Sequence, residues 1–389
     1  MIQYRQQTPE GVQDYLPVEC YNKVRIEAGM AKCFHRSGYN RVDPPMFEFM
    51  DVFASGVGAV RVEQMIKFVD QTGRILVLRP DLTVPIARMA ATRLRGEKPP
   101  HRLYYIGNVF KAQPTSGGQR EVVQAGVELL GVNSPEGDAE VIALAVEALK
   151  SAGLAGFALE IGQVEFFKGM MEEAGLTGEQ TEELRGYVDE KNMLSIELFM
   201  REHQVSSKHR ERIMQLPALY GKEEVLKKAE SLTQNERALS ALETLREVYD
   251  YLKAFGLSQY VTFDLGMLYS LDYYTGLIFR GIADPIGAPI LSGGRYDTLT
   301  GEYGAKMAAT GFAVDLKPVL IALERQGRME PAPGVDAVIS ASPKQRAEAY
   351  AYASALREKG RRVVVAWDCD QAVLNRYALE LNARPIYFE

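Results

Sequence analysis

Gln124 and Glu128 stand four residues apart in QAGVE (124–128), inside an apolar run that reads as a strand, so both side chains point to one face. A carboxylate on a buried face needs a partner. Three more segments place polar residues inside apolar runs: RPDLT (79–83), LDYYTG (271–276) and SGGRYD (292–297). Gathered with Gln124 and Glu128, the side chains of Asp81, Thr83, Tyr273, Tyr274 and Tyr296 make an acidic, aromatic, hydroxyl-lined pocket. Such a pocket suits a small cationic or hydrogen-bond-donating ligand. Taken alone, Glu128 reads more simply as a satisfied structural carboxylate. The company of the other segments is what favours a pocket.

Those residues need elements to hold them. GNVFKAQPTSGGQREVVQAGVELLG (107–131) reads as two β-rich runs joined by a polar loop, with Lys111 and Arg120 its only cations. IKFVD (66–70) and RILVLRP (74–80) flank QTG, a hairpin signal, and the second strand feeds a helix beginning near Thr83. Before them, residues 18–37 place Val24, Ile26, Met30, Ala31 and Phe34 at near-helical spacing, with Gly38 ending the helix. A second amphipathic helix is expected over 136–150. Residues 162–256 are charge-rich and helix-forming, which reads as a helical insertion; strand texture resumes with QYVTFDLG, GLIFRGI, PILSGG and AATGFAV.

Hairpins interleaved with helices predict an α+β fold: an antiparallel sheet of six or seven strands flanked by helices. The predicted core spans 1–326 and is followed by a Gly/Pro-rich linker at 327–336. Residues 337–389 then form a small α/β unit, near the lower size limit for independent stability.

Composition narrows the function. The formal net charge is −6, with no basic cluster to draw in a phosphate backbone. Cys20, Cys33 and Cys369 lie far apart without a CxxC, and the four histidines show no ligand spacing, so neither a disulfide framework nor a zinc site is expected. No GxGxxG follows a strand and no GxxxxGK[ST] occurs. Without an apolar run of membrane length or a signal region, the chain is expected to be cytoplasmic and full length. Arg120 and Arg295 read as ion-pair or loop residues, His101 as a residue packed at a strand start, and Trp367 and Cys369 as core.

TPEGVQDYLP, LRPDLT, the hairpin 107–131, LDYYTG, SGGRYD and TGFAV occur in an order and spacing that resemble the catalytic core of histidyl-tRNA synthetases, members of the class II aminoacyl-tRNA synthetases. The resemblance covers residues 5–326 and includes a helical insertion in the same place. It implies that the pocket binds histidine. Asp81 and Thr83 match the acidic LRPEGT segment of the family, Gln124 and Glu128 match the pair that holds the amino group and imidazole, and Tyr273, Tyr274 and Tyr296 match the walls.

The adenylating half departs from that family. An arginine at the start of the hairpin loop looks like Lys111 here, a point charge without the bidentate fork, and a glutamate two residues on is Gln113. A second arginine position is Tyr269, and a third, in the pattern GFAxGLER, is Pro318 with Lys317 before it. Loss of one such donor costs about 3 kcal/mol. Adenylation is therefore expected to be lost. The short C-terminal unit also departs from the larger anticodon-binding domain of the synthetases.

A kept pocket with a degenerate ATP site resembles the family of ATP phosphoribosyltransferase regulatory subunits. That resemblance implies a non-catalytic chain without cofactor or metal, which joins the short-form catalytic subunit for the first step of L-histidine biosynthesis. It also implies L-histidine as feedback effector and a homodimer as the building unit of a hetero-oligomer, with no tRNA and no membrane as partner. The helix at 18–37 and the DPP segment resemble the dimer-forming motif of class II synthetases. Two alternatives stay open: an active histidyl-tRNA synthetase-like enzyme, and a stand-alone histidine or tRNA sensor.

Overall fold

The first helix is α1 (Pro17–Arg36), whose Ile26, Met30 and Phe34, spaced by four, form a fully buried stripe. Val24, expected on that stripe, is instead exposed. Gly38 follows at φ +83°, a left-handed conformation open to glycine. The computed structural model describes residues 6–54, 62–112, 118–268, 274–284 and 286–389. They fall into two compact units, Met1–Met329 and Glu330–Glu389.

In the first unit, β1 (Asn40–Arg41) leads to β2 (Phe47–Phe49), α2 (Asp51–Ala54), β3 (Lys67–Val69) and β4 (Ile75–Leu78). The QTG turn forms as expected, with Asp70 Oδ1 accepting from the Thr72 and Arg74 amides. β2, β4 and β3 make a separate three-stranded antiparallel sheet in that order. Then come α3 (Thr83–Thr92), the long hairpin strands β5 (His101–Phe110) and β6 (Glu121–Leu130), α4 (Pro135–Ser151) and β7 (Phe157–Gln163).

The charge-rich stretch forms α5 (Val164–Glu173), α6 (Gly178–Asp189), α7 (Met193–Glu202), α8 (Ser207–Ile213), a short β8 (Tyr220–Gly221), α9 (Glu224–Glu230) and α10 (Glu236–Ala254). Side-chain caps from Thr177, Asn192, Ser206 and Asn235 start α6, α7, α8 and α10. The unit closes with β9 (Val261–Asp264), β10 (Leu277–Ala283), β11 (Leu291–Arg295), β12 (Ala309–Asp315) and α11 (Leu316–Arg325).

The main sheet has nine strands in the order β1-β5-β6-β12-β11-β10-β7-β9-β8, and it is mixed rather than antiparallel with six or seven strands. Its centre, from β5 through β7, is antiparallel at every step. The edges differ: β1 joins β5 in parallel and β9 joins β7 in parallel. β9 reaches β7 only after the helical stretch, a crossover of the kind that parallel pairing requires. β1 and β8 are two residues each, too short for any alternation to announce them.

Alternation along β6 sets up the site. Ala125, Val127 and Leu129 join the core cluster shared with α1, α4 and α11. Val122 and Leu130 belong to the cluster on the other face, with Leu103 and Tyr105 of β5 and with α3. Gln124 and Glu128 have the parity of that second face.

In the second unit, β13 (Ala337–Ala341), α12 (Arg346–Glu358), β14 (Val363–Val365), α13 (Gln371–Glu380) and β15 (Arg384–Phe388) form a three-stranded parallel sheet of order β14-β13-β15. Ile339 packs with Ala349 and Ala353 of α12, while Val338 packs with Leu374 and Ala378 of α13, so the helices cover opposite faces. Trp367, expected in the core, is 49% exposed, because β14 stops at Val365 and the chain turns outward there.

Candidate functional site

Glu128 is the centre of the site. It is 1% exposed, and its two oxygens are each held: Thr83 Oγ1 donates to Oε1 at 2.8 Å and the Tyr296 hydroxyl to Oε2 at 2.5 Å. Three separate segments therefore meet on one carboxylate. Thr83 is delivered by the first turn of α3, and Tyr296 follows directly on β11. Gly311 lies opposite Glu128 in the β6–β12 ladder, and a Cβ there would collide with Oε2, so the glycine makes room for the acid.

Asp81 stands just before α3, with Oδ1 accepting from the Val84 amide at 2.7 Å. Loss of solvent raises its carboxyl, opposed by the Val84 amide and by the charge of Lys111. Burial likewise pushes Glu128 from an ordinary 4.5 up to about 8; its Tyr296 and Thr83 hydrogen bonds pull down and the charge of Asp81 adds to the rise. A carboxyl raised in this way exchanges its proton near neutral pH, and a cation placed beside it favours the charged form.

Tyr274 is buried at 8% exposure in the same cluster as Tyr105 and Tyr296, and its ring lies over Gly294 of β11. Tyr105 was not singled out in the sequence. It is 1% exposed, hydrogen-bonds with Thr83, and its hydroxyl occupies the space a side chain at Gly126 would take. The signal was available, since alternation along β5 puts Tyr105 on the face that carries Gly126 and Glu128. Gln124, one turn of the pleat further along β6, donates from Nε2 to Asp315 Oδ1 at 2.9 Å. Among the expected site residues, Asp81, Thr83, Gln124, Glu128, Tyr274 and Tyr296 thus lie on one face of the sheet around Glu128. Tyr273 lies outside the described residues, as do Gln113 and Tyr269.

Lys111 and Pro318, expected from the sequence as former ATP-site positions, are described. Lys111 ends the β5 side of the hairpin with its amide bonded to the Arg120 carbonyl, and its charge reaches both Asp81 and Asp315. Pro318 sits in the first turn of α11, where its missing N–H costs nothing. Lys317 donates to Gln13 Oε1. Arg295 forms ion pairs with Asp138 at 3.0 Å and Asp297 at 3.1 Å, so it is no spare phosphate ligand, and Arg120 lies 3.9 Å from the exposed Glu10. His101 is buried at the start of β5. A separate cavity of about 330 Å³, lined in part by Ser134, Gln163, Arg237, Thr244 and Arg295, includes none of the pocket residues around Glu128.

Residues 11–319 match the family model described as histidyl-tRNA synthetase. A solved histidyl-tRNA synthetase from Nostoc sp. superposes with a TM-score of 0.82 at 20% identity over 97% of this chain and 89% of that one, a likeness of fold. A solved ATP phosphoribosyltransferase regulatory subunit/histidyl-tRNA synthetase from Bacillus halodurans superposes with a TM-score of 0.88 at 32% identity, over 98% of this chain and 97% of that one. A curated ATP phosphoribosyltransferase regulatory subunit from Acetivibrio thermocellus is 47% identical over 366 residues, 94% of this chain and 88% of the relative. By these likenesses in sequence and fold, the chain belongs to the family of ATP phosphoribosyltransferase regulatory subunits, built on the histidyl-tRNA synthetase fold.

Proposed function

We propose that this chain is the non-catalytic regulatory subunit of an ATP phosphoribosyltransferase, assembling with a short-form catalytic subunit for the first step of L-histidine biosynthesis and binding L-histidine as feedback inhibitor in the Glu128 pocket. The observation that carries the reading is the buried Glu128 clamp between Thr83 and Tyr296, next to Asp81, in a cleft where Lys111 and Pro318 stand in for arginines. A pocket of this kind accepts an ammonium and an imidazole N–H. It lacks, at those two positions, the forked cations that adenylation requires. Regulation then means that histidine binds one state of the complex better than another, a coupling typically of about 1–3 kcal/mol.

The building unit is a homodimer. Supporting this are Phe47, Phe49 and Phe68, exposed together on one face of the β2-β4-β3 sheet, and Leu16, Val18 and Val24, exposed at and along α1. Apolar surface of that extent is characteristic of an interface. The chain works in the cytoplasm, without tRNA. No helix among the described residues is long and apolar enough to cross a membrane.

The direct test is transferase activity of a short catalytic subunit alone, with this chain, and with this chain plus histidine. Activity that rises with the chain and falls again with histidine is the expected result. An unchanged transferase in the presence of folded chain would refute the assignment, and histidine-dependent ATP–pyrophosphate exchange would then point to the synthetase alternative.

A further inference from the structure

Leu268 follows β9 outside any strand, and α6 supplies the partners that a strand would give. Its N–H donates to Asp189 Oδ1 at 2.9 Å, and its carbonyl accepts from Arg185 Nη1 at 3.1 Å. Arg185 and Asp189 are four apart, so they sit one above the other on one face of α6. Arg185 is braced from behind by Glu182, whose Oε2 accepts from its Nε at 2.7 Å. Both backbone groups of a residue that is 1% exposed are thus satisfied by the helical insertion and not by the sheet.

The insertion holds the same tract at two earlier points. The Leu265 amide donates to the Leu219 carbonyl at 3.0 Å. Lys191, left-handed at φ +54° between α6 and α7, brings its ammonium to 3.6 Å from Asp264 Oδ2. Asp189 is the last residue of α6, where a carboxylate opposes the helix dipole, and that last turn holds no basic residue. Helix stability does not account for an acid there; the Leu268 amide does.

Met267 carries the grip to the pocket. It is 2% exposed and belongs to the buried cluster of Tyr105, Tyr274 and Tyr296, whereas Leu268 belongs to the cluster that includes Leu184 and Val188 of α6. The boundary between the two cores falls between these adjacent residues. The tract also lies close against β7: a Cβ at Gly162 would stand 2.9 Å from the Asp264 carbonyl oxygen and 3.2 Å from Met267 Cε.

We infer that Arg185 and Asp189 are positioning residues for the aromatic wall of the Glu128 pocket: by gripping both polar groups of the Leu268 backbone, the helical insertion sets where Met267 and the tyrosines packed with it stand. Whatever displaces α6 then changes affinity in the pocket, and a ligand in the pocket acts back on α6 by the same factor. The inference deepens the histidine reading and rests on it for the ligand; the positioning itself stands apart from it.

The experiment measures L-histidine affinity by calorimetry and amide hydrogen exchange by mass spectrometry on the full-length chain, as wild type, Asp189→Leu and Asp189→Asn. Asparagine keeps a side-chain carbonyl for the Leu268 amide. Asp189→Leu is expected to weaken histidine about tenfold, as when the wall stands in place in about one molecule in ten, and Asp189→Asn to stay within about threefold of wild type. Without ligand, exchange in Asp189→Leu is expected to rise at 265–268 and also at 274–277, where the Thr275 amide donates to the Arg295 carbonyl at 2.8 Å. Unchanged histidine affinity in Asp189→Leu, or a loss that Asp189→Asn shares in full, overturns the assignment. So does faster exchange confined to 265–268. Should Asp189→Leu fail to fold, Arg185→Met, which removes the donor to the Leu268 carbonyl, is measured in its place. A wild-type chain that binds no histidine refutes the proposed function, while exchange at 274–277 still decides the positioning role.

Discussion

The Tyr296 hydroxyl lies 2.5 Å from Glu128 Oε2, across a distance of 168 residues in sequence and between two strands that are not neighbours in the sheet. β12 runs between them, and its Gly311 leaves the gap through which the two side chains meet. The contact places the only side-chain oxygen of a tyrosine on a carboxylate that water does not reach.

Glu128→Gln keeps the shape of the side chain and removes its charge. A charge-assisted hydrogen bond to a bound cation or imidazole N–H is worth about 1.5–3 kcal/mol, so histidine affinity is expected to fall by one to two orders of magnitude. Calorimetry on the full-length chain checks this. An unchanged affinity would move the ligand out of this pocket.

The same substitution has a signature without ligand. Glu128 is raised in the folded chain from 4.5 to about 8, so its contribution to stability is complete below pH 4.5 and is lost as the pH climbs to about 8. The unfolded chain releases this proton first, and folding then demands that it be taken back. Wild type should therefore lose stability relative to Glu128→Gln across that window, at no more than about 1.4 kcal/mol per pH unit, and the difference should level off above it. Urea denaturation at pH 5, 6.5 and 8 measures the slope; parallel curves would show that the carboxyl titrates normally.

How much of this was legible beforehand follows from the physics of each signal. The β5–β6 hairpin, the QTG turn and the face shared by Gln124 and Glu128 were readable because turn chemistry and period-two alternation are local. The edges of the nine-stranded sheet were not, since β1 and β8 are two residues long and pair through contacts remote in sequence. Asp315 escaped notice for a related reason. Its meaning lies in the register that sets it against Gln124, 191 residues away, and a single acid at the end of a strand carries no pattern. Val24 and Trp367 were misplaced because apolar type alone does not reveal whether a partner covers the side chain.

Phe47 and Phe68 meet edge to face with ring centroids 5.9 Å apart, and the Arg74 guanidinium lies 4.8 Å over the neighbouring Phe49 ring. On the opposite face of the same strand, Glu48 is buried and paired with Arg88 at 2.5 Å, so the fold is anchored from behind. The double variant Phe47→Asp, Phe49→Asp should therefore fold but no longer self-associate. Sedimentation equilibrium is expected to give a dimer for wild type and a monomer for the variant; a dimer in both would place the interface elsewhere.

Arg295 bears on stability, not on ligand charge. Its guanidinium is 8% exposed and spans Asp138 at the start of α4, Asp297, and the carbonyls of Val132 and Ser134. It thus ties α4 to β11, whose next residue is Tyr296. Arg295→Met leaves Asp138, 2% exposed, without its cation, a loss of the kind that costs about 3–5 kcal/mol. Because much of that cost is the stranded carboxylate, adding Asp138→Leu should restore a large part of it, giving a double variant more stable than Arg295→Met alone. Thermal melts of wild type, both single variants and the double variant close the cycle. Were the two losses simply additive, the pair would be acting independently and Arg295 would hold the loop through the Val132 and Ser134 carbonyls instead.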